Sequence, residues 1–322
     1  MLGAFLALVA AMTFAANNAA YRRGALTGTV EQAMAISLPV GTIVFAIANV
    51  STGAWGAFAE LPRNSIAMFG LAGVSHFAWG RYCNFRATKA MGANLVGPVQ
   101  QFSLVITVAL AVGVLGEVLT SLRLLGILLI LLAPAVSLRA PKVASNAPTG
   151  FKPNYVEGYA FALLSAVGYG VSPVLISAGL RGGGIAASLA GGLVAYTAAC
   201  AVLAFTLFAT GQIGHVAAVG KTSRNWFLIS SALVGLSQMF SYMALAVAPV
   251  TVVTPIQRLS LVFRIFANSA LNREYEVRGG SVWATTVVAL IGSLMLSAST
   301  EFIVELMPLP EYLRTAALWQ FP

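Results

Sequence analysis

The chain has 322 residues, of which 59% are hydrophobic and 8% are charged, and its mean hydropathy is +0.87. A soluble domain carries about 25% charged residues, so this composition excludes a water-soluble enzyme and indicates a polytopic membrane protein. The net charge of +9 comes from Lys and Arg scattered between apolar stretches, which favours membrane-topology charge over nucleic acid binding.

Ten apolar stretches follow one another along the chain, and each is near the length of about 20 residues that a membrane-spanning helix needs. A membrane β-barrel would show shorter segments of alternating hydrophobicity, so the pattern predicts an all-α membrane protein with ten transmembrane helices. The predicted spans are Leu2–Ala20, Val30–Val50, Ser65–Ala87, Ala93–Leu115, Leu119–Leu138, Val156–Leu180, Ala186–Ile213, Asn225–Ala246, Val250–Leu271 and Gly279–Ser299.

One connection is long and polar, and it divides the spans into five plus five. Residues 139–155 contain three prolines and two lysines, a composition typical of an exposed linker. We therefore predict a first five-helix unit over residues 1–138 and a second over residues 156–299. Residues 300–322 are too interrupted to span a membrane, and Trp319 suits an interfacial tail.

The two halves resemble each other at a constant offset of 157 residues. Gly-Pro-Val-Gln-Gln-Phe-Ser-Leu-Val at 97–105 matches Thr-Pro-Ile-Gln-Arg-Leu-Ser-Leu-Val at 254–262, and Glu117 matches Glu274. Because five is an odd number, the second half must enter the membrane in the opposite sense. The sequence therefore predicts two inverted repeats around a central cavity, an architecture of secondary transporters that expose a midplane site to each side in turn. A duplicated membrane scaffold is the alternative.

Two five-helix halves, each with a proline in the fourth helix and a glutamate at its end, resemble the EamA-like branch of the drug/metabolite transporter superfamily. The closest stretch is residues 90–117, and its counterpart is residues 246–274. The resemblance implies a multi-pass transporter of the cytoplasmic (inner) membrane, not an enzyme, for amino acids, drugs, nucleotide sugars or phosphorylated sugars. The chain departs from the family pattern where Phe14-Ala15 and Tyr169-Gly170 replace Trp-Gly.

Three arginines fall inside predicted spans: Arg81 in the third, and Arg258 and Arg264 in the ninth. A charge at the bilayer centre costs about 2.5–3.5 kcal/mol on insertion scales, so such residues usually face a cavity or a partner. The alternative is that each fastens helices together through backbone carbonyls. Because the chain has no Asp and its glutamates lie at span ends, in loops or in the tail, we expect an anionic or zwitterionic substrate. A cationic drug exporter of the same superfamily is the other possibility.

Matched polar positions extend this candidate site to both halves. At the offset of 157, Arg81 corresponds to Gln238, Gln100 to Gln257, and Thr107 to Arg264. Helical spacing also places Gln257, Leu261, Arg264 and Asn268 on one face of the ninth span. His76 is a weaker candidate for proton coupling, and Asn17 for lining the path. The predicted substrate-binding residues are Arg81, Gln100, Gln238, Gln257, Arg264, Arg258, His76, Thr107 and Asn17.

The expected partners are a small-molecule substrate and membrane lipids, without nucleic acid. The sequence shows no metal-ligand cluster and no phosphate-binding loop, so we expect no metal and no cofactor. A homodimer is left open by the sequence.

Two indications of membrane orientation disagree. Loops after odd-numbered spans, with their flanks, hold eleven Lys and Arg, and the opposite side holds four. The positive-inside rule therefore predicts that both termini lie outside the cytoplasm, whereas the family resemblance implies cytoplasmic termini. We take the charge count because it is read from this chain.

Overall fold

The computed structural model describes residues 2–115, 119–138, 152–180, 183–248, 253, 256–277, 279–297, 304–305 and 310–321. These residues are almost entirely helical, as the composition predicts. In chain order the elements are α1 Leu2–Gly24, α2 Val30–Ser51, a 3₁₀ turn Ala54–Gly56, α3 Ala57–Glu60, α4 Arg63–Gly73, a π-helical segment Val74–Gly80, α5 Arg81–Met91, α6 Ala93–Gln100, α7 Phe102–Leu115, β1 Leu119–Thr120, α8 Ser121–Leu138, α9 Tyr155–Leu180, α10 Ile185–Ala209, α11 Ile213–Ala217, α12 Lys221–Val247, α13 Ser260–Leu271, α14 Gly280–Ser297, α15 Glu311–Leu318 and β2 Gln320–Phe321.

Within the described part of the chain, six helical stretches are long and apolar enough to cross a membrane. They are α1, α2, residues 93–110 of α6 and α7, α9, α10 and α12. The remaining predicted spans coincide with helices that are shorter or interrupted, namely α4 to α5, α8, α13 and α14. The chain is therefore an all-α membrane protein, as predicted, and the count of ten transmembrane helices stays a prediction.

Two predicted spans are interrupted beside candidate site residues. The third span is helical over residues 63–91, but its middle segment, Val74–Gly80, is π-helical and ends directly before Arg81. Such π-turns are frequent at functional sites. The fourth span turns at Gln101, three residues after Pro98, whose missing N–H removes one helical hydrogen bond.

The contacts between helices come in pairs. α1 packs against α12, and α9 packs against α4, the π-helical segment and α5; α2 packs against α12, and α10 against α4. α1 also packs against α13, and α9 against α6 and α7, while α2 contacts α10 and α8 contacts α14. Each predicted span in the first half has a counterpart five spans later in the second half. When every span in these contacts is replaced by its counterpart, the same set of contacts results. This is the pattern expected of a duplicated chain, and the division into units of residues 1–138 and 156–299 stays a prediction.

The crossing of α4 and α10 depends on a glycine. A Cβ placed on Gly73 would lie 1.9 Å from the backbone oxygen of Ala195. One turn earlier on the same helix, a Cβ on Gly70 would make an ordinary contact of 3.9 Å with the Ala198 side chain. The two backbones therefore approach most closely at Gly73, as small residues permit between membrane helices.

Connections after α1, α5, α10 and α13 lie together at one end of the bundle, which we call the Glu276 end. Lys89 Nζ donates to the Gly28 carbonyl over 2.8 Å, and the Thr27 and Ser223 hydroxyls are 2.7 Å apart. The second helix begins there with a capping box, in which the Thr29 hydroxyl accepts from the Gln32 N–H and the Gln32 side chain accepts from the Thr29 N–H.

The C-terminal tail lies at the opposite end of the bundle. β2 pairs antiparallel with β1, so that Leu119 faces Phe321, and the Ser121 N–H donates to the Trp319 carbonyl over 2.9 Å. The Trp319 side chain is 63% exposed. Pairing with β1 fixes the tail to the start of α8, and its predicted position at the membrane interface stays an expectation.

Candidate functional site

Arg81 is buried at the start of α5, in a pocket of hydroxyl groups and aromatic rings. Its two terminal nitrogens donate to Ser37 Oγ over 2.9 Å and to the Tyr196 hydroxyl over 2.7 Å. Its guanidinium carbon lies 4.9 Å from the Phe77 ring centroid and 5.1 Å from that of Tyr196. These rings supply cation–π attraction that offsets part of the cost of burying the charge.

Arg264 is equally buried, on the inner face of α13. Both of its terminal nitrogens donate to Gln100 Oε1 over 3.2 Å, and one also reaches the Ala93 carbonyl at 3.4 Å. Its guanidinium carbon lies 5.6 Å from the Phe14 ring centroid. Arg264 thus joins α13 to both ends of α6 and to α1.

Asn84 connects these two arginines. Gln100 Nε2 donates to Asn84 Oδ1 over 2.8 Å, and Asn84 lies three residues after Arg81 on the same face of α5. Tyr169 of α9 lies beside Asn84 and close enough to Arg81 and Arg264 to interact electrostatically with both. We call Arg81, Asn84, Gln100, Tyr169 and Arg264 the central polar cluster.

A second glutamine makes the same kind of contact in the other half. Gln257 Nε2 donates to Ser241 Oγ over 2.7 Å, across the same 16 residues that separate Asn84 from Gln100. Ser241 is the counterpart of Asn84 at the offset of 157. The matched pair of hydrogen bonds is what a duplicated chain is expected to contain.

The remaining predicted site residues lie outside the central polar cluster. Arg258 donates to Gln101 Oε1 over 3.3 Å. Thr107 donates to the Gly170 carbonyl over 2.8 Å and so binds α7 to α9. Asn17 Oδ1 accepts from the Ser230 hydroxyl over 2.7 Å and so binds α1 to α12.

His76 and Gln238 are the last two predicted site residues. The His76 ring lies 4.4 Å, centroid to centroid, from the Tyr169 ring at a tilt of 39°, and within the described residues its buried Nδ1 has no hydrogen-bond partner. Gln238 is half-buried on α12. His76 therefore lies at the edge of the central polar cluster.

A line of buried amides leads from Arg264 toward the Glu276 end. Asn268 Nδ2 donates to Asn94 Oδ1 over 3.1 Å, and Asn272 Nδ2 donates to Asn268 Oδ1 over 2.9 Å and to the Ala19 carbonyl over 2.8 Å. Arg264, Asn268 and Asn272 are spaced four residues apart, so they share one face of the helix and its end. We call Asn94, Asn268 and Asn272 the amide ladder.

Glu276 closes this line at the end of the bundle. Its two carboxylate oxygens accept from the Ala93 and Asn94 N–H groups over 2.8 and 2.9 Å, capping the start of α6. Arg22 Nε lies 3.3 Å from the same carboxylate, with both side chains at most 2% exposed. Burial raises the pKa of the Glu276 carboxyl above its ordinary value, although Arg22 and the two N–H groups act in the opposite direction.

Arg22 binds the end of α5 and the connection after α13 at this closure. Its terminal nitrogens donate to the carbonyls of Thr88, Lys89 and Tyr275 over 3.2, 3.1 and 2.7 Å. Gly92 precedes the capped helix with φ of 89°, a conformation that favours glycine, and a Cβ there would lie 2.8 Å from a Glu276 oxygen. The closure therefore depends on residues from α1, α5, α6 and the connection after α13.

Three features of the site were not predicted from the sequence. They are the roles of Asn84 and Tyr169 in the central polar cluster, and the Arg22–Glu276 pair. Asn84 could have been found, because its counterpart Ser241 is also polar and because it lies one turn from Arg81. Arg22 was counted among the loop charges, and only the contacts of the folded chain show that it is buried.

Part of the chain is similar to a known family of proteins. Residues 1–139 match the model of the EamA-like transporter family. This stretch of the chain is similar to EamA-like transporters. The resemblance predicted from the sequence is thereby confirmed over these residues, and together with the apolar helices the match indicates a multi-pass membrane transporter of the drug/metabolite type.

Solved structures support the same architecture over most of the chain. No curated protein matches the sequence, but nineteen chains of solved structures do. One of them, a crystal structure of a protein that is 18% identical, has a TM-score of 0.61 and covers 91% of this chain and 94% of its own. At this identity the likeness shows the fold alone, and it extends beyond the EamA-like residues 1–139.

Proposed function

We propose that this protein is a secondary transporter that moves a small anionic or zwitterionic metabolite, such as an amino acid or an organic acid, across the cytoplasmic membrane. One observation carries the proposal: the hydrogen-bond acceptors of Arg81 and Arg264 in the described structure are hydroxyl, amide and backbone oxygens, none of which is charged. Two buried cations with neutral acceptors favour a ligand that brings negative charge.

The central polar cluster can exchange its internal hydrogen bonds for bonds to a substrate. A guanidinium group binds a carboxylate or phosphate through two parallel hydrogen bonds, and both terminal nitrogens of Arg264 already point at one atom, Gln100 Oε1. A substrate carboxylate would take the place of this oxygen. Gln100 and Asn84 would then be released together, since they are bonded to each other.

The paired helix contacts support an alternating-access mechanism. If the two halves are inverted repeats, exchange of their conformations converts a site open to one side into a site open to the other. Substrate charge would offset the cost of burying the arginines only while the site is occupied, which couples binding to the movement of the halves. A non-transporting scaffold would not need two buried cations whose hydrogen-bond acceptors are neutral.

Uptake into proteoliposomes tests the proposal. Amino acids, organic acids, sugar phosphates and cationic dyes would be offered as competing substrates to the purified protein. We expect Arg264→Ala to abolish uptake of the anionic or zwitterionic substrate, and Arg264→Lys to keep only part of it, because Lys cannot form the two parallel bonds. Arg314→Ala, at an exposed site on α15, is the control that should transport normally.

Three results would contradict the proposal. Transport of cationic dyes that anions do not inhibit would favour a multidrug exporter, and no transport by a folded protein would favour a scaffold. Normal transport by both Arg264 variants would show that the central polar cluster is structural.

A further inference from the structure

The inner face of α13 carries asparagines where its counterpart in the first half does not. At the offset of 157, Arg264, Asn268 and Asn272 correspond to Thr107, Ala111 and Leu115. The same position of the fold is therefore built with small and apolar residues in one half. The corresponding helix of the first half has no asparagines at these positions, so the packing of such a helix does not require them. The asparagines of the second half therefore need an explanation other than packing.

The amide ladder has capacity to bind polar groups other than its own. Both Asn268 and Asn272 are fully buried, and within the described residues Asn272 Oδ1 has no hydrogen-bond partner. A buried polar atom without a partner costs stability. The ladder also adjoins Arg264, a member of the central polar cluster, and ends beside Glu276 at the end of the bundle. It therefore connects the central polar cluster with the Glu276 end.

We propose that Asn94, Asn268 and Asn272 line the route between the central polar cluster and the Glu276 end, and that Glu276 with Arg22 holds this route closed. This inference rests on the proposed function. The carboxylate ties the connection after α13 to the start of α6, so the route opens when Glu276 leaves the Ala93 and Asn94 N–H groups. A substrate carrying polar or anionic groups then exchanges hydrogen bonds with successive amides.

Thiol accessibility tests the closure without a substrate. In a protein whose Cys83 and Cys200 are replaced by Ser, Asn268→Cys places one thiol in the route. Its reaction with a membrane-impermeant maleimide is followed in right-side-out and inside-out vesicles. A separate Lys221→Cys protein, exposed at the Glu276 end, identifies the vesicle orientation that presents this end.

Adding Glu276→Gln to the Asn268→Cys protein should speed its labelling from that side about tenfold or more, because Gln accepts only one of the two N–H bonds and leaves Arg22 without its carboxylate partner. Arg22→Gln should have the same effect. Glu157→Gln removes the partly exposed ion pair between Arg86 and Glu157, whose nitrogen and oxygen are 2.7 Å apart, and should leave the rate unchanged. Labelling is measured on the monodisperse, folded fraction.

Unchanged labelling in both folded variants would overturn the closure, whether or not a transported substrate is known.

The lining role has its own test, in which Asn268→Ala introduces the residue found at the corresponding position of the first half. We expect a folded protein with uptake reduced about tenfold or more, and normal uptake would overturn the role of the ladder even if the Glu276 variants did not fold. Failure of the proposed transport function would be recognised differently. The unmodified protein would then show no uptake, while the labelling rates would still differ between the variants as expected.

Discussion

Arg258 donates a hydrogen bond of 3.3 Å to Gln101, and these two residues are 157 positions apart. The contact therefore joins a residue to its own counterpart in the other half of the chain. If the two halves are inverted repeats, counterparts touch in this way where they lie beside the axis that relates the halves. Gln101 also marks the turn between α6 and α7, so the repeat hypothesis predicts that the interruption of this helix lies at that axis.

The pair should be energetically coupled. We expect a double-mutant cycle of Gln101→Ala and Arg258→Ala to give a coupling of about 0.6–1.7 kcal/mol, the range for hydrogen bonds between membrane helices. Denaturant unfolding in detergent, followed by circular dichroism, measures it. In a control cycle of Gln101→Ala and Arg314→Ala, the two changes in unfolding free energy should add, because Arg314 lies on the exposed α15. Coupling in the control cycle and none between Gln101 and Arg258 would contradict the observed hydrogen bond.

Asn84 and Ser241 should differ in function although their hydrogen bonds are similar in length, 2.8 and 2.7 Å. Asn84→Ala removes a partner of Gln100, which binds Arg264, so we expect the initial uptake rate to fall about tenfold or more, equivalent to about 1.4 kcal/mol of binding free energy. Ser241→Ala should change uptake less than about threefold. Equal losses in the two variants would argue that both glutamine pairs contribute alike.

Gly73 and Gly70 make a matched test of the crossing between α4 and α10. Gly73→Ala should destabilise the protein by about 1–3 kcal/mol, because its Cβ would meet the Ala195 backbone, which cannot move aside without shifting the helix. Gly70→Ala should be neutral or stabilise the helix by up to about 1 kcal/mol. Thermal unfolding in detergent compares them, and similar melting temperatures for both variants would contradict the close approach.

Membrane orientation is tested by fusing a reporter that is active only in the cytoplasm to the C-terminus. The charge count predicts an inactive fusion, since the eleven basic residues lie on the side opposite the termini. A second fusion at residue 218, which ends the short helix α11 at the Glu276 end, should be active. The reverse result for the two fusions would support the orientation implied by the family resemblance.

Periodicity and the internal repeat predicted the parts of this structure that depend on local sequence. Helical spacing placed Leu261, Arg264 and Asn268 on one face, and all three are buried. The offset of 157 likewise paired Gln100 with Gln257, and each makes a similar hydrogen bond to a residue 16 positions earlier. A repeat of this kind is visible in sequence because each half encodes the same local contacts.

Contacts between distant segments were not predictable in this way. Arg22 and Glu276 are more than 250 residues apart, and each looks like an ordinary charge at the end of a span. Their burial results from the packing of α1 against α13, which no periodicity encodes. The π-helical segment before Arg81 was also not foreseen, because no residue type in 74–80 distinguishes a π-helical turn from an α-helical one.

The capping of α6 by Glu276 has a consequence for separating the two halves of the chain. The position that corresponds to Glu276 in the first half is occupied by Leu119, so the first half has no carboxylate at this position. A polypeptide that ended near residue 139 would retain Arg22 and the exposed N–H groups of Ala93 and Asn94, but it would lack the carboxylate that satisfies them. Two copies of such a polypeptide could not supply it to each other. Separation of the two halves after residue 139 would therefore leave the start of α6 without its cap.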